Sequence, residues 1–587
     1  MYCCATKQLV DQTRDKADEL GLAAATYHSG QWDDQEVYQK GQAPVITTYA
    51  ALLNGRSIFR TENVEGLILD DAHTAHDAVR SAFTLTVDRR DHENLYNAIT
   101  AQVRTYFESV DREFVFDAVR EHRDLSTVLM VPMFEALRHV DEYRDILLKA
   151  GVENARNMLF SWSHIASKLD RCVVLFDHQR IEFTPLLPPI QQIPSFRDGV
   201  RRIYLSATLE VIDEFIRTFG RIPEIIIAPG GRAGDGERLM LFPPKGSNEE
   251  DARQWADNTT NGLKAAIMVP TWHTAEHWRA SADLFSSDDG HERVQQFASS
   301  SDERLVFVAR YDGIDLPDDS CRVMVVDGLP SGLGLLDRFF EQHLERLGIS
   351  SLKIASRFLQ LLGRTSRGMS DYGVVLLTGS RLLNWILSPS TRALLPGLVQ
   401  RQLTLGERLG ALKDFTSKEL IESCLRQTPQ WSDVYQRGIR ETPVTERTPP
   451  QVDREMALAL AERQAADSYW EGNYEKGVQS LSQVLEDAFA AERSLGAWFL
   501  HWIAFGYQVL GDMEAAKKHY NDAAAVKREL GRIPEYSSPQ ASDQRASSSQ
   551  SSIMAGLLQK PRNSKDSPGS GKRCNTASRQ RRVGWKT

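Results

Sequence analysis

Leu67-Ile68-Leu69-Asp70-Asp71-Ala72-His73-Thr74-Ala75-His76-Asp77 is the stretch on which the fold turns. Three apolar residues in a row suit a strand of a parallel sheet, which is covered on both faces. The run stops at two carboxylates, and ligands of open α/β sheets bind beyond the carboxyl ends of the strands. Asp70 can hold Mg2+ through water, because that ion takes oxygen ligands and keeps part of its hydration shell. Asp71 can orient or deprotonate an attacking water. Two other readings stand beside this one. An acidic pair after a strand is often a plain surface turn. His73 and His76, at i and i+3, could also ligate a transition metal with Asp70 or Asp77.

Working outward, residues 2–5 read as a buried strand, and Thr6-Lys7-Gln8-Leu9 opens a helical pattern through Leu20. A second strand is expected at 45–48, followed by Tyr49 and a short helix closed by Asn54-Gly55. Strands alternating with helices imply a parallel α/β sheet. No residues are left ahead of its first strand, so a further upstream segment is expected. From 77 to 197 the alternation gives way to a mostly helical insertion. Ala136, Val140, Tyr143 and Leu147 there share one face of an amphipathic helix. Two short strands surround Asp177-His178-Gln179.

The sheet resumes over 202–209, a strand ending in the hydroxyls of Ser206 and Thr208, which can bridge carboxylates by hydrogen bonds. A glycine-rich break at 229–236 precedes a second α/β set, with strands expected at 265–269, 305–309, 323–327 and 374–377. A helix is expected from Pro270-Thr271 through Leu284. The 305–309 strand runs into Tyr311-Asp312-Gly313-Ile314-Asp315-Leu316-Pro317. A later helix carries Gln360-Leu361-Leu362-Gly363-Arg364-Thr365-Ser366-Arg367. Arg364 and Arg367, three apart, share a helix face. Facing a carboxylate pair across a cleft, they would stabilise charge on a transferring phosphoryl group.

Taken in order, Thr6-Lys7-Gln8, Asp70-Asp71-Ala72-His73, Ser206-Ala207-Thr208, Gly313-Ile314-Asp315 and the 360–367 segment resemble motifs Ia, II, III, V and VI of superfamily 2 helicases. The helical insertion, the Phe183-Thr184-Pro185-Leu186 run and Asp327-Gly328-Leu329-Pro330 resemble the XPD/DinG branch of that superfamily. The resemblance covers about residues 1–390. It implies two RecA-like parallel-sheet domains, 1–76 with 198–235 and 236–400, and ATP and Mg2+ as cofactors. It also implies single-stranded or duplex nucleic acid as a partner. Asp70 and Asp71 would hold Mg2+, and Asp71 would serve the hydrolytic water. Gly313, Asp315 and Gln360 would line the nucleotide cleft, while Arg364 and Arg367 would reach the γ-phosphate. Ser206 and Thr208 would couple that cleft to nucleic acid, which Thr6, Lys7 and Thr48 would contact through its backbone.

Four departures accompany the resemblance. A Gly-x-x-x-x-Gly-Lys-Ser/Thr loop occurs nowhere in the 587 residues, and Gly569-Ser570-Gly571-Lys572-Arg573 lacks both the first glycine and the hydroxyl. Without such a loop the β- and γ-phosphates lose their cradle, and poor ATP binding is expected. Asp71 stands where relatives have Glu. Only Cys3 and Cys4 precede the acidic pair, so no iron–sulfur cluster is expected. The insertion carries no motif of its own. The alternative to an ATP-dependent helicase or translocase is a non-hydrolysing scaffold that binds nucleic acid or proteins.

Beyond 400, a helical connector and linker (401–450) lead to a tetratricopeptide-like region at 451–535. Its pattern is Leu500, Ile503, Ala504, Tyr507, Gly511, Ala516, Tyr520 and Ala523, with a poorer copy around Tyr469, Gly472, Tyr474 and Leu481. Such a repeat implies a protein partner; a plain helical hairpin on the core is the simpler reading. Residues 536–587 are basic and Ser-rich, a composition of disorder. The net charge of −9 excludes a uniformly basic coat but not a basic groove. No stretch is apolar enough to span a membrane, and the six scattered cysteines favour a cytoplasmic, reducing compartment.

Overall fold

The computed structural model describes residues 1–61, 64–206, 212–227, 236–285, 291–309, 316, 320–330, 334–344, 347–365, 371–412, 415–445 and 448–534. Its first sheet begins with β1 (Tyr2–Cys4), β2 (Ala25–His28), β3 (Gln31–Asp33), β4 (Val45–Thr48) and β5 (Gly66–Leu69). The β2–β3 hairpin was not expected. It turns at Ser29-Gly30, both at positive φ, the geometry of a tight hairpin turn, and pairs Tyr27 with Trp32 at 4.9 Å. One face of the sheet carries Cys3, Val45, Leu67 and Leu69 against the Tyr49–Leu53 and Ala72–Ala82 helices. The other face carries Cys4 and Ile46 against Val10 of the Lys7–Glu19 helix.

The insertion holds more strand than its sequence implies. It contains β6 (Leu85–Asp88), β7 (Leu129–Val131), β8 (Cys172–Phe176) and β9 (Arg180–Pro185), an antiparallel sheet of order β6-β9-β8-β7. Only β8 and β9 were anticipated, joined through Asp177, whose carboxylate accepts from the Gln179 and Arg180 amides at 2.8 and 2.9 Å. β6 and β7 are too short to show a period. The single helix expected through 136–147 is broken at His139 (φ −105°, ψ 12°) into Met133–Arg138 and Val140–Lys149. Ala136, Tyr143 and Leu147 are nonetheless buried together.

β10 (Arg201–Tyr204) then returns beside β5, giving the order β10-β5-β1-β4-β2-β3. The second sheet comprises β11 (Glu237–Leu241), β12 (Ala265–Val269), β13 (Asp283–Leu284), β14 (Arg304–Val308), β15 (Val323–Asp327) and β16 (Tyr372–Thr378). It is parallel throughout, in the order β11-β16-β15-β12-β14-β13. The helix after Thr271 stops at Glu276, and Leu284 belongs to β13 rather than to that helix. At the end of β15 the fully buried Asp327 takes Arg253 at 2.8 Å, the Trp278 indole at 2.9 Å and the Thr378 hydroxyl at 3.1 Å.

The C-terminal helices form two hairpins. Pro449–Glu471 and Tyr474–Ser482 turn at Gly472, and Arg493–Val509 and Met513–Val526 turn at Gly511, both glycines at positive φ. They interlock through small and aromatic residues, in a tetratricopeptide-like manner. The Tyr469 phenol donates to the Trp502 carbonyl at 2.9 Å, and a Cβ on Gly477 would meet the Tyr469 ring at 2.2 Å.

These hairpins share one continuous core with the insertion and with Leu335–Phe339 of the second sheet domain. Phe134 packs on Tyr520 at 5.0 Å and Phe340 on Trp498 at 5.1 Å. The Met133 amide donates to His501 Nε2, an imidazole whose burial pushes it down to about 3. The inner faces of the hairpins are therefore filled by the chain itself. The five described cysteines are buried and unpaired. Among the described residues no helix is long and apolar enough to cross a membrane.

Candidate active site at the carboxyl edge of the first sheet

β5 delivers the acidic pair to the carboxyl edge of its sheet. The Asp70 amide donates to the Cys3 carbonyl at 2.9 Å, and the Tyr49 phenol donates to the Asp70 carbonyl at 2.5 Å. Asp71 adopts a left-handed backbone (φ 48°), held by its amide on Asp70 Oδ1 at 3.1 Å and by Thr74, which donates twice to its carbonyl. Such a conformation costs a non-glycine residue about 1 kcal/mol. Although it starts the Ala72–Ala82 helix, its carboxylate caps no amide there. The Tyr2 phenol hydrogen-bonds the Asp70 carboxylate; burial first, then that charge, raises the phenol above its ordinary range.

Neighbouring strands bring other expected residues to the same edge. The Ala72 amide donates to the Leu205 carbonyl at 2.9 Å, which sets Ser206, the next residue, beside the acidic pair. Thr6 follows β1 and Thr48 ends β4, and each hydroxyl caps its own helix, accepting from Leu9 at 3.3 Å and Ala51 at 3.2 Å. Lys7 is exposed in the first turn after Thr6. Four adjacent strands, β10, β5, β1 and β4, thus present Ser206, Asp70, Asp71, Thr6, Lys7 and Thr48 along one rim. Thr208, Gly313, Asp315 and Arg367 lie outside the described residues.

Gln360 and Arg364 are half-buried on the Leu347–Thr365 helix of the second sheet domain. That helix meets Ala72–Ala82 through charges absent from the expected set. Arg357 Nη2 pairs with the Asp77 carboxylate. His76 Nδ1 lies 2.7 Å from Glu214 and 2.5 Å from the Thr218 hydroxyl. Lys353 reaches Glu214 at 3.6 Å and Asp337 at 2.9 Å. Burial would raise Glu214, but His76 and Lys353 outweigh it and hold the carboxyl down to about 2. His76 and Asp77 are thus taken up in contacts between elements, and among the described residues no group of three or more potential ligands could hold a metal ion. A signal for the missed cations existed: Lys353, Arg357, Gln360 and Arg364 are spaced 4, 3 and 4, one helix face.

Residues 233–401 match the family of helicase C-terminal domains. No curated protein sequence matches. Among solved structures, the chain is similar to XPD_APO at 12% identity and a TM-score of 0.43, over 66% of this chain and 88% of that one. Xpd4 of S. tokodaii gives 15% identity and 0.41, over 66% and 87%. The ADP-bound RNA helicase Prp28 of Chaetomium thermophilum gives 11% and 0.19, over 70% and 71%.

Proposed function

We propose that the chain acts as an ATP-dependent nucleic-acid helicase or translocase, in a reducing compartment that suits its buried unpaired cysteines. One observation carries the reading: the ion pair between Asp77 of the Ala72–Ala82 helix, which starts at the acidic pair, and Arg357 of the Leu347–Thr365 helix. Gln360 and Arg364 follow Arg357 by about one and two turns of that second helix. The match of 233–401 to helicase C-terminal domains supports the same assignment.

Asp70 and Asp71 are a donor set that fits a hydrated Mg2+, which when bound would polarise phosphate oxygens. Asp71, its carboxylate free of helix capping, would take the proton of an attacking water. Arg364 would oppose charge on the departing phosphate, with Gln360 near the nucleotide. Arg367, Gly313, Asp315 and Thr208 are assigned their cleft and coupling roles by resemblance alone, and Ser206 joins them from the rim. The hydroxyls of Thr6 and Thr48 accept amides as caps and keep their O–H donors, so both would join Lys7 in meeting nucleic-acid phosphates. The β- and γ-phosphates of ATP need more donors than these, and the described residues offer them no glycine-rich loop.

A scaffold that does not hydrolyse ATP is favoured by a different observation. The Leu335–Phe339 helix, built into the core of the insertion, straps the two sheet domains together and restrains the opening a turnover cycle needs. ATP hydrolysis by the 587-residue chain, with and without single-stranded DNA, separates the two. Stimulated turnover that falls at least ~100-fold in both Asp71→Ala and Arg364→Ala supports the motor. Salt-dependent DNA binding without turnover supports the scaffold.

A further inference from the structure

The Ile212–Phe219 helix, which follows β10, is held on three sides by three different parts of the chain. Phe215 and Phe219 face the first sheet, where their rings pack on Tyr204 at 4.6 and 4.7 Å. Asp213 and Arg217, one turn apart, face the C-terminal hairpins. Arg217 Nη1 donates to Asp213 at 2.7 Å, and its Nε donates to Glu462 of the Pro449–Glu471 helix at 2.8 Å. From the same helix Arg463 donates to the Pro188 carbonyl at 2.8 Å and to the Arg217 carbonyl at 3.2 Å. Glu214 and Thr218, again one turn apart, form the third side. There Glu214 lies 2.7 Å from His76, on the helix that starts at the acidic pair, and 3.6 Å from Lys353 of the second sheet domain. At ~100° per residue the three pairs divide the helix circumference almost evenly.

All of its side chains from Asp213 to Phe219 are buried except that of Glu214, which is nearly so. The helix therefore cannot turn or slide without moving its neighbours, since close-packed interiors transmit displacement rather than absorb it. Its charges are equally constrained, because a buried guanidinium cannot trade its carboxylates for water at low cost.

We propose that the C-terminal hairpins set the position of the acidic-pair helix through this junction. Glu462 is a positioning residue for the candidate active site, acting through Arg217, Glu214 and His76. The inference rests on reading that rim as the active site. The hairpins place no residue on the rim, yet their grip on Arg217 fixes the rotation of the helix, and with it the place of Glu214. Glu214 in turn holds His76, five residues beyond Asp71. Coupling of this kind is reciprocal, so whatever shifts the acidic-pair helix also loads the hairpins.

Hydrogen exchange of the full 587-residue chain tests this, read on three helices: Ala72–Ala82, Ile212–Phe219 and, within the hairpins, Met513–Val526. Glu462→Gln keeps the shape of the side chain and removes its charge. Arg217→Lys keeps the charge but gives up the fork that spans two carboxylates, and it serves if the first variant does not fold. Exchange over Ala72–Ala82 should rise at least ~5-fold in either variant, with Met513–Val526 within about 2-fold of wild type. Glu486→Gln, on an exposed glutamate of the same region, should change neither. In a His76→Ala background the response of Ala72–Ala82 to Glu462→Gln should vanish, while that of Ile212–Phe219 remains. Faster exchange at Ile212–Phe219 with none at Ala72–Ala82 overturns the proposal, because the junction then absorbs the change. Equal acceleration of all three helices also overturns it, being a general loss of stability, and so does a response that survives His76→Ala. ATP turnover enters none of these readings, so failure of the motor reading leaves the result standing.

Discussion

β10 and β11 are each the outer strand of a largely parallel six-stranded sheet, and they are finished differently. β11 is sealed. Gly406 of the Gly397–Gly410 helix lies so close that a Cβ there would sit 1.7 Å from the Met240 carbonyl oxygen, and Gln402 donates to the Gly236 carbonyl at 2.9 Å. The Glu237 carboxylate at its start takes the Trp431 indole and, at 2.9 Å, the Gln427 amide. β10 has Ile203 and Leu205 open to solvent, and its domain is secured from the side instead. Arg217, on the helix after β10, is buried between Asp213 at 2.7 Å and Glu462 of the C-terminal hairpins at 2.8 Å. The contrast teaches that an edge strand's stability belongs to whatever covers it.

The largest effect is expected where that lateral support is cut. Glu462→Ala leaves a buried guanidinium with one carboxylate fewer and should cost about 4 kcal/mol in urea unfolding. A loss below ~1 kcal/mol would mean that the hairpins do not brace the β10 domain. Gly406→Val should cost roughly 3 kcal/mol by driving its helix off β11, while Gly66→Ala on β5, with its nearest neighbour at 4.0 Å, should stay within about 0.5 kcal/mol.

A smaller effect comes from acid. Burial pushes His164, donating from Nε2 to the Leu53 carbonyl at 2.8 Å and stacked on Phe83, down to about 4. Its folded value lies below the ordinary 6.5, so the unfolded chain binds the proton first and stability falls as pH drops below 6.5. Across pH 6.5 to 4.5 the loss should be about 2 kcal/mol, with His501 adding in the same sense. Glu214, held near 2, contributes only below about 4.5. His164→Phe should flatten the decline between pH 6.5 and 4.5. The smallest effect is expected at the open edge itself: Leu205→Ala within about 0.5 kcal/mol, against 2 or more for Leu239→Ala on β11.

How far the sequence could be read follows from the same physics. Strands over 45–48, 265–269 and 323–327 were expected at their observed bounds, because short runs of apolar and β-branched residues buried on both faces announce themselves. β11 was hidden by Glu237 and Arg238, charges that look like a turn until Trp431 and the Leu362 carbonyl are found waiting for them. The acidic pair was legible because a strand and its end are local. His76 and Asp77 were not, since Glu214 and Arg357, their partners, lie more than a hundred residues away. The repeat pattern around Tyr469 and Tyr520 announced two interlocked hairpins, but not that their inner faces are packed against the insertion.

That shared core has a consequence for how the protein is made. Met130, Phe340 and Trp498 belong to one apolar cluster, so it is not complete until residues near 500 have been synthesised. At about 5–20 residues per second, the insertion spends tens of seconds outside the ribosome with the part of its apolar side that faces the C-terminal hairpins uncovered.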